Sequence, residues 1–121
     1  MTEKEFYTLL AGLRELAQAH TFRVNHHYYS PGHFGNYTIS ISNGISTCRL
    51  NNKRGQLFIE VKKNKGWEKM NDFVGAHFSG TSLHADLSAS GLYQDDFSVS
   101  TNLQFLPKLL KLLGESPLLD S

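Results

Sequence analysis

The sequence predicts an α+β fold: an antiparallel sheet built on a β-meander, with the N- and C-terminal helices packed on one face. Three observations carry this. Tyr37 to Ser42 alternates apolar and small polar residues, the period of a half-buried strand, and Asn43-Gly44 follows it as a hairpin signal. A two-residue loop there pairs Ile41 with Ser46, Ile39 with Cys48 and Tyr37 with Leu50. A second hairpin, Leu50 with Leu57 and Cys48 with Ile59, keeps the same apolar face. Finally, Phe6, Leu9, Leu10, Leu13, Leu16 and Ala17 recur at helical spacing, a stripe that needs such a face to cover.

In chain order, Thr2 to about Ala19 is the first helix. Thr2 and Glu5 form a capping box, and Glu3 and Glu5 complement the positive helix start. Thr21 to Tyr29 is a strand with Phe22, Val24, His26 and Tyr28 on one face and Arg23, Asn25, His27 and Tyr29 on the other. Ser30 to Gly35 has loop chemistry. After the meander, Lys62 to Gly66 is a polar loop. Trp67 to Phe78 reads as a helix through Trp67, Met70 and Val74. Leu83 to Leu87 and Leu92 to Ser100 read as two strands. Thr101 with Gln104 suggests a cap, Pro107 a helix start and Gly114 its C′ residue. The layout is thus four strands, helix, two strands between terminal helices. Residues 1–114 form one domain, and 115–121 a flexible tail.

A chain of 121 residues is long enough for one core. Forty per cent hydrophobic and 19% charged residues exclude a disordered class. No apolar run approaches the roughly 20 residues that span a bilayer, so no membrane partner is expected. Met1 to Glu5 is charged and helix-opening, which argues against a secretory signal. One cysteine makes no internal disulfide and fits a reducing cytosol. Charge is uneven. Residues 1–69 hold ten Lys/Arg against five Asp/Glu, residues 70–121 two against six, which suggests a charged interaction face.

Candidate chemistry is sparse. His26, His27 and His33 lie close in sequence, but strand neighbours point to opposite faces, and no zinc-ligand spacing is present. His84 and Asp86 would share a strand face as base and orienting carboxylate, with no nucleophile to serve. Asp95-Asp96 lacks the oxygen spacing of a calcium loop. Cys48 falls on the apolar face as a packing residue. No metal or cofactor is expected.

A binding role remains. Small secretion chaperones and some toxin-immunity proteins have layouts of this general kind, though layout does not fix function. The sequence points to a small cytosolic, non-catalytic module that binds a protein partner as an inhibitor, immunity factor or chaperone. Lys62, Lys63, Lys65, Tyr28, Tyr29 and Arg49 are its candidate contacts. The alternative is a nucleic-acid binder, with Lys62, Lys63 and Lys65 on phosphates and Tyr28 and Tyr29 stacking on bases.

Overall fold

The computed structural model describes residues 2–32, 35–90 and 98–115. His33, Asp95-Asp96, most of the expected Leu92–Ser100 strand and the tail from 116 lie outside the described residues. Within them the order is α1 (Glu3–Ala19), β1 (Arg23–Ser30), β2 (Asn36–Ser42), β3 (Thr47–Lys53), β4 (Gln56–Lys63), β5 (Gly66–Lys69), α2 (Met70–His77), α3 (Ser82–Ala89), α4 (Val99–Leu103) and α5 (Leu106–Glu115). The five strands form one antiparallel sheet in chain order.

Helix α1 starts as its sequence dictates. The Thr2 hydroxyl accepts from the Glu5 N–H at 3.1 Å, and the Glu5 carboxylate accepts from the Thr2 N–H at 3.2 Å. It ends in a Schellman motif: the Phe22 N–H donates to Ala17 O at 2.8 Å and the Thr21 N–H to Gln18 O at 3.1 Å. Thr21 takes the left-handed position, φ 60°, where glycine is usual.

Both hairpin registers differ from expectation by two residues. Asn43-Gly44 does not form a two-residue turn. The Asn43 Oδ1 accepts from the Ile45 and Ser46 N–H groups at 2.9 and 2.7 Å, and this side-chain turn extends the loop to four residues. Ile41 therefore faces Cys48 and Ile39 faces Leu50, while Tyr37 faces Asn52. The tight turn is Arg54-Gly55, closed by the Lys53–Gln56 pair with φ of 53° and 82°. It sets Cys48 against Val61 and Leu50 against Ile59. A slip of two preserves side-chain parity, so the expected inner face survives. Tyr37, Ile39, Ile41, Cys48, Leu50, Leu57, Ile59 and Val61 are all buried.

Three elements change identity. Trp67 belongs to β5, not to a helix, because Lys63 and Gly66 close another hairpin and Lys62 pairs with Trp67. Its spacing to Met70 and Val74 mimics a helical stripe. Leu83 to Leu87 is helical, since Thr81 caps α3 by accepting from the His84 N–H at 3.2 Å. Leu83 and Leu87 fit either period, but Ala85 is exposed, as only the helix allows. Val99 and Ser100 begin α4, capped by Ser98, and Gly114 lies inside α5 rather than after it.

Helices supply Phe6, Leu10, Leu13, Phe73, Val74, Leu87, Leu106 and Leu110 to the same core as the inner sheet face. Helix α1 packs on β1, α2 on β4 and β5, and α4 on β4. Burying the sheet face on one side only accounts for the strict alternation along β2, β3 and β4.

Candidate functional site

The other face of the sheet has no buried apolar residue among the described positions. β2 and β3 contribute Thr38, Ser40, Ser42, Thr47, Arg49 and Asn51, all half-exposed. β4 and β5 add Phe58, Glu60, Lys62, Trp67 and Lys69. In β1 a bulge between Val24 and His26 reverses the expected alternation. Val24, His27 and Tyr29 lie on the helix side, while His26 and Tyr28 point outward. The bulge exchanges the faces of the two candidate tyrosines, which stay on opposite sides of the sheet. Tyr29 stacks on Phe6 with centroids 4.9 Å apart, and Tyr28 is 59% exposed.

The lysines also part. Lys62 is exposed on the outer face beside Trp67. Lys63 is on the helix side and pairs with Glu68 at 2.7 Å. Lys65 sits exposed in the β4–β5 turn. From Tyr28 to Lys62 is three strands across and four residues along, roughly 20 Å. A cleft of about 370 Å³ is lined by the Gly44–Thr47 and Val61–Asn64 segments together with Phe73 and Leu113.

One connected group on the outer face centres on Arg49. Its Nε donates to Glu60 Oε1 at 2.8 Å, and its guanidinium lies 4.1 Å from the Trp67 ring centre. Lys69 lies 5.5 Å from the centre of the Phe58 ring. Each cation–π contact contributes about 0.5–1 kcal/mol at such exposure, and the half-exposed ion pair no more than about 1 kcal/mol. Together they favour an arrangement with the planar charge on the large ring. Alternation along β4 and the short β5 hairpin would have signalled Phe58, Glu60 and Trp67 beside Arg49. The helical reading of Trp67 concealed it.

Charge on this face is one-sided. Arg23, Arg49, Lys53, Lys62 and Lys69 take outward positions, and Glu60 is the one carboxylate among the described outward residues. Across the sheet, α1 mixes Glu3, Glu5 and Glu15 with Lys4 and Arg14.

The residues considered for chemistry do not converge. His26 and His27 are on opposite faces. His84 and Asp86, two apart on a helix, point away from each other: the His84 Nδ1 accepts from the Gly80 N–H at 3.3 Å, and Asp86 pairs with Lys108. Among the described residues no three His, Cys, Asp or Glu side chains gather as a metal set. Cys48 is fully buried, and burial pushes its thiol up to about 12. No helix among the described residues is long and apolar enough to cross a membrane. No family model, curated protein or solved structure matches this chain.

Proposed function

We propose that this chain is a small, cytosolic, non-catalytic module whose open sheet face binds an acidic surface of a protein partner, as an inhibitor, immunity factor or chaperone does. The observation that carries the reading is the asymmetry of the sheet. Among the described residues all the packed helices lie on one face, and the other carries no helix and is basic. Arg49 on Trp67 is a preformed anchor of the residue types that dominate protein–protein hot spots, and the hydroxyl-lined area over β2 suits a close, flat contact. A cytosolic setting fits the single cysteine, which serves as a buried packing residue.

The basic face also favours a second reading, a single-stranded nucleic acid lying across the sheet. Base stacking needs open ring faces. Arg49 covers Trp67, Lys69 lies over Phe58, and Tyr28 stands apart at the sheet's edge. The protein reading is therefore preferred. Titration with short oligo(U) and oligo(dT) at two salt concentrations separates the two. The protein reading expects negligible binding near physiological salt. Sub-micromolar affinity falling log-linearly with salt, by about one unit of slope per phosphate contact, would establish nucleic acid instead.

A further inference from the structure

We propose that the cleft where β3 and β4 part takes a small organic carboxylate with an apolar end. Its acid group lies on the Ser46 hydroxyl beside Lys62 and Lys63, and its apolar end covers Ile45. Of these residues only Lys62 also belongs to the open face, so the inference stands apart from what that face binds.

The cleft is a gap in the sheet ladder. The β3–β4 register ends at Cys48–Val61, while β4 runs on to Lys63 in register with β5, through Lys62–Trp67 and Lys63–Gly66. Ahead of Cys48 the chain belongs to the loop that Asn43 holds, its Oδ1 accepting from the Ile45 and Ser46 N–H groups. Ser46-Thr47 and Lys62-Lys63, which a continued ladder would pair, are therefore left unpaired with each other and line the cleft of about 370 Å³. That volume falls within the range of small-molecule sites, near its lower end.

Ser46 points to a ligand. It is only 7% exposed, yet its hydroxyl bonds to no described residue; its hydrogen bonds are made by the backbone N–H and C=O. The hydroxyl is not sealed off either, since among the described side chains Tyr37 alone is both sealed and unpaired. Buried polar groups nearly always have a partner, so a hydroxyl this deep that still lines a cleft is a ready donor to a bound acid. Charge sets the sign of the ligand. Lys62 and Lys63 line the cleft, and among the described residues no carboxylate does. Lys63 shares its charge with Glu68 at 2.7 Å, while Lys62 has no ion-pair partner among the described residues. One uncompensated cation matches a singly charged carboxylate better than a doubly charged phosphate. Ile45, 60% exposed on the same cleft, is apolar surface that a hydrocarbon end would remove from water, and Val61, Phe73 and Leu113 complete the apolar lining.

Titration of the isotope-labelled full chain with isocaproate, followed through its amide chemical shifts, tests this. The acid should move the Ser46, Thr47, Lys62 and Lys63 signals saturably, with a dissociation constant of about 1 mM or below, the range open to a ligand of so few atoms. Isocaproamide has the same shape without the charge, and inorganic phosphate has charge without the hydrocarbon. Each should bind at least about tenfold more weakly. Ser46→Ala should weaken isocaproate about fivefold or more at an unchanged melting temperature, because the lost hydroxyl serves no described protein group. No saturable shift up to about 20 mM would overturn the proposal, as would shifts centred away from the cleft. Equal binding of the amide or of phosphate would also overturn it, and so would a Ser46→Ala chain that binds like the wild type. Should Ser46→Ala fail to fold, Lys62→Gln at its exposed site decides: a weaker complex supports the assignment and an unchanged one overturns it.

Discussion

Thr21 holds the backbone at φ 60° to let α1 turn back into β1, a position where a β-branched side chain is strained. Thr21→Gly should raise stability by up to about 1 kcal/mol, because relief of that strain exceeds the added chain entropy. Urea unfolding of the two proteins checks it. Tyr37 is a second local cost. Its hydroxyl is buried without a hydrogen-bond partner of normal geometry, and burial pushes its pKa up to about 12, with the nearby Asn52 side chain opposing the shift. An unsatisfied buried hydroxyl costs roughly 1–3 kcal/mol, so Tyr37→Phe should be neutral or stabilising, unlike most core substitutions. Cys48 and Tyr37 also contribute to stability at alkaline pH. Both pKa values are raised on folding, from 9 and 10 to about 12, so both groups keep their protons longer in the folded chain. Their contribution is fully present below pH 9 and is lost as pH rises from about 9 to 12, where the unfolded chain binds fewer protons. Stability measured across that window should fall, and less steeply in Tyr37→Phe.

At the scale of elements, α1 and α5 both seal the inner sheet face. Leu10 and Leu110 are fully buried, and either one changed to alanine should cost about 2–5 kcal/mol in denaturant unfolding. These helices were legible in the sequence because amphipathic spacing and a capping box are local signals. The inner face of the meander was legible for a related reason: parity survives a two-residue slip, so Cys48 was placed in the core although its neighbours are Ile41 and Val61 rather than Ile39 and Ile59. What the sequence concealed was decided by side-chain hydrogen bonds and by ambiguous periods. Asn43 turned its amide onto the Ile45 and Ser46 N–H groups. Asn25 entered a bulge that exchanged the faces of His26 through Tyr29. Leu83 and Leu87 suited strand and helix alike until Thr81 capped the helix. The candidate site suffered accordingly. Arg49, Lys62 and Tyr28 share the open face, while Tyr29 and Lys63 lie on the helix side.

For the whole molecule, basic side chains are concentrated on the open face. Five basic residues and Glu60 take outward positions there, while α1 across the sheet mixes Glu3, Glu5 and Glu15 with Lys4 and Arg14. Such a concentration steers association more than it strengthens the final complex. Reversing the charges of Lys62 and Lys69 should slow binding of an acidic protein partner and weaken its salt dependence. Arg49→Ala and Trp67→Ala should cost about 2 kcal/mol or more of affinity, as buried anchors do, with folding verified by melting temperature. The most direct measurement is photo-cross-linking in the cell from a reactive side chain at Ser40, mid-face, compared with one at Lys111 on the exposed side of α5. The account predicts a discrete protein adduct from position 40, none from position 111, and its loss when Arg49→Ala is added. Adducts from position 111 alone, or a nuclease-sensitive adduct from position 40, would contradict it.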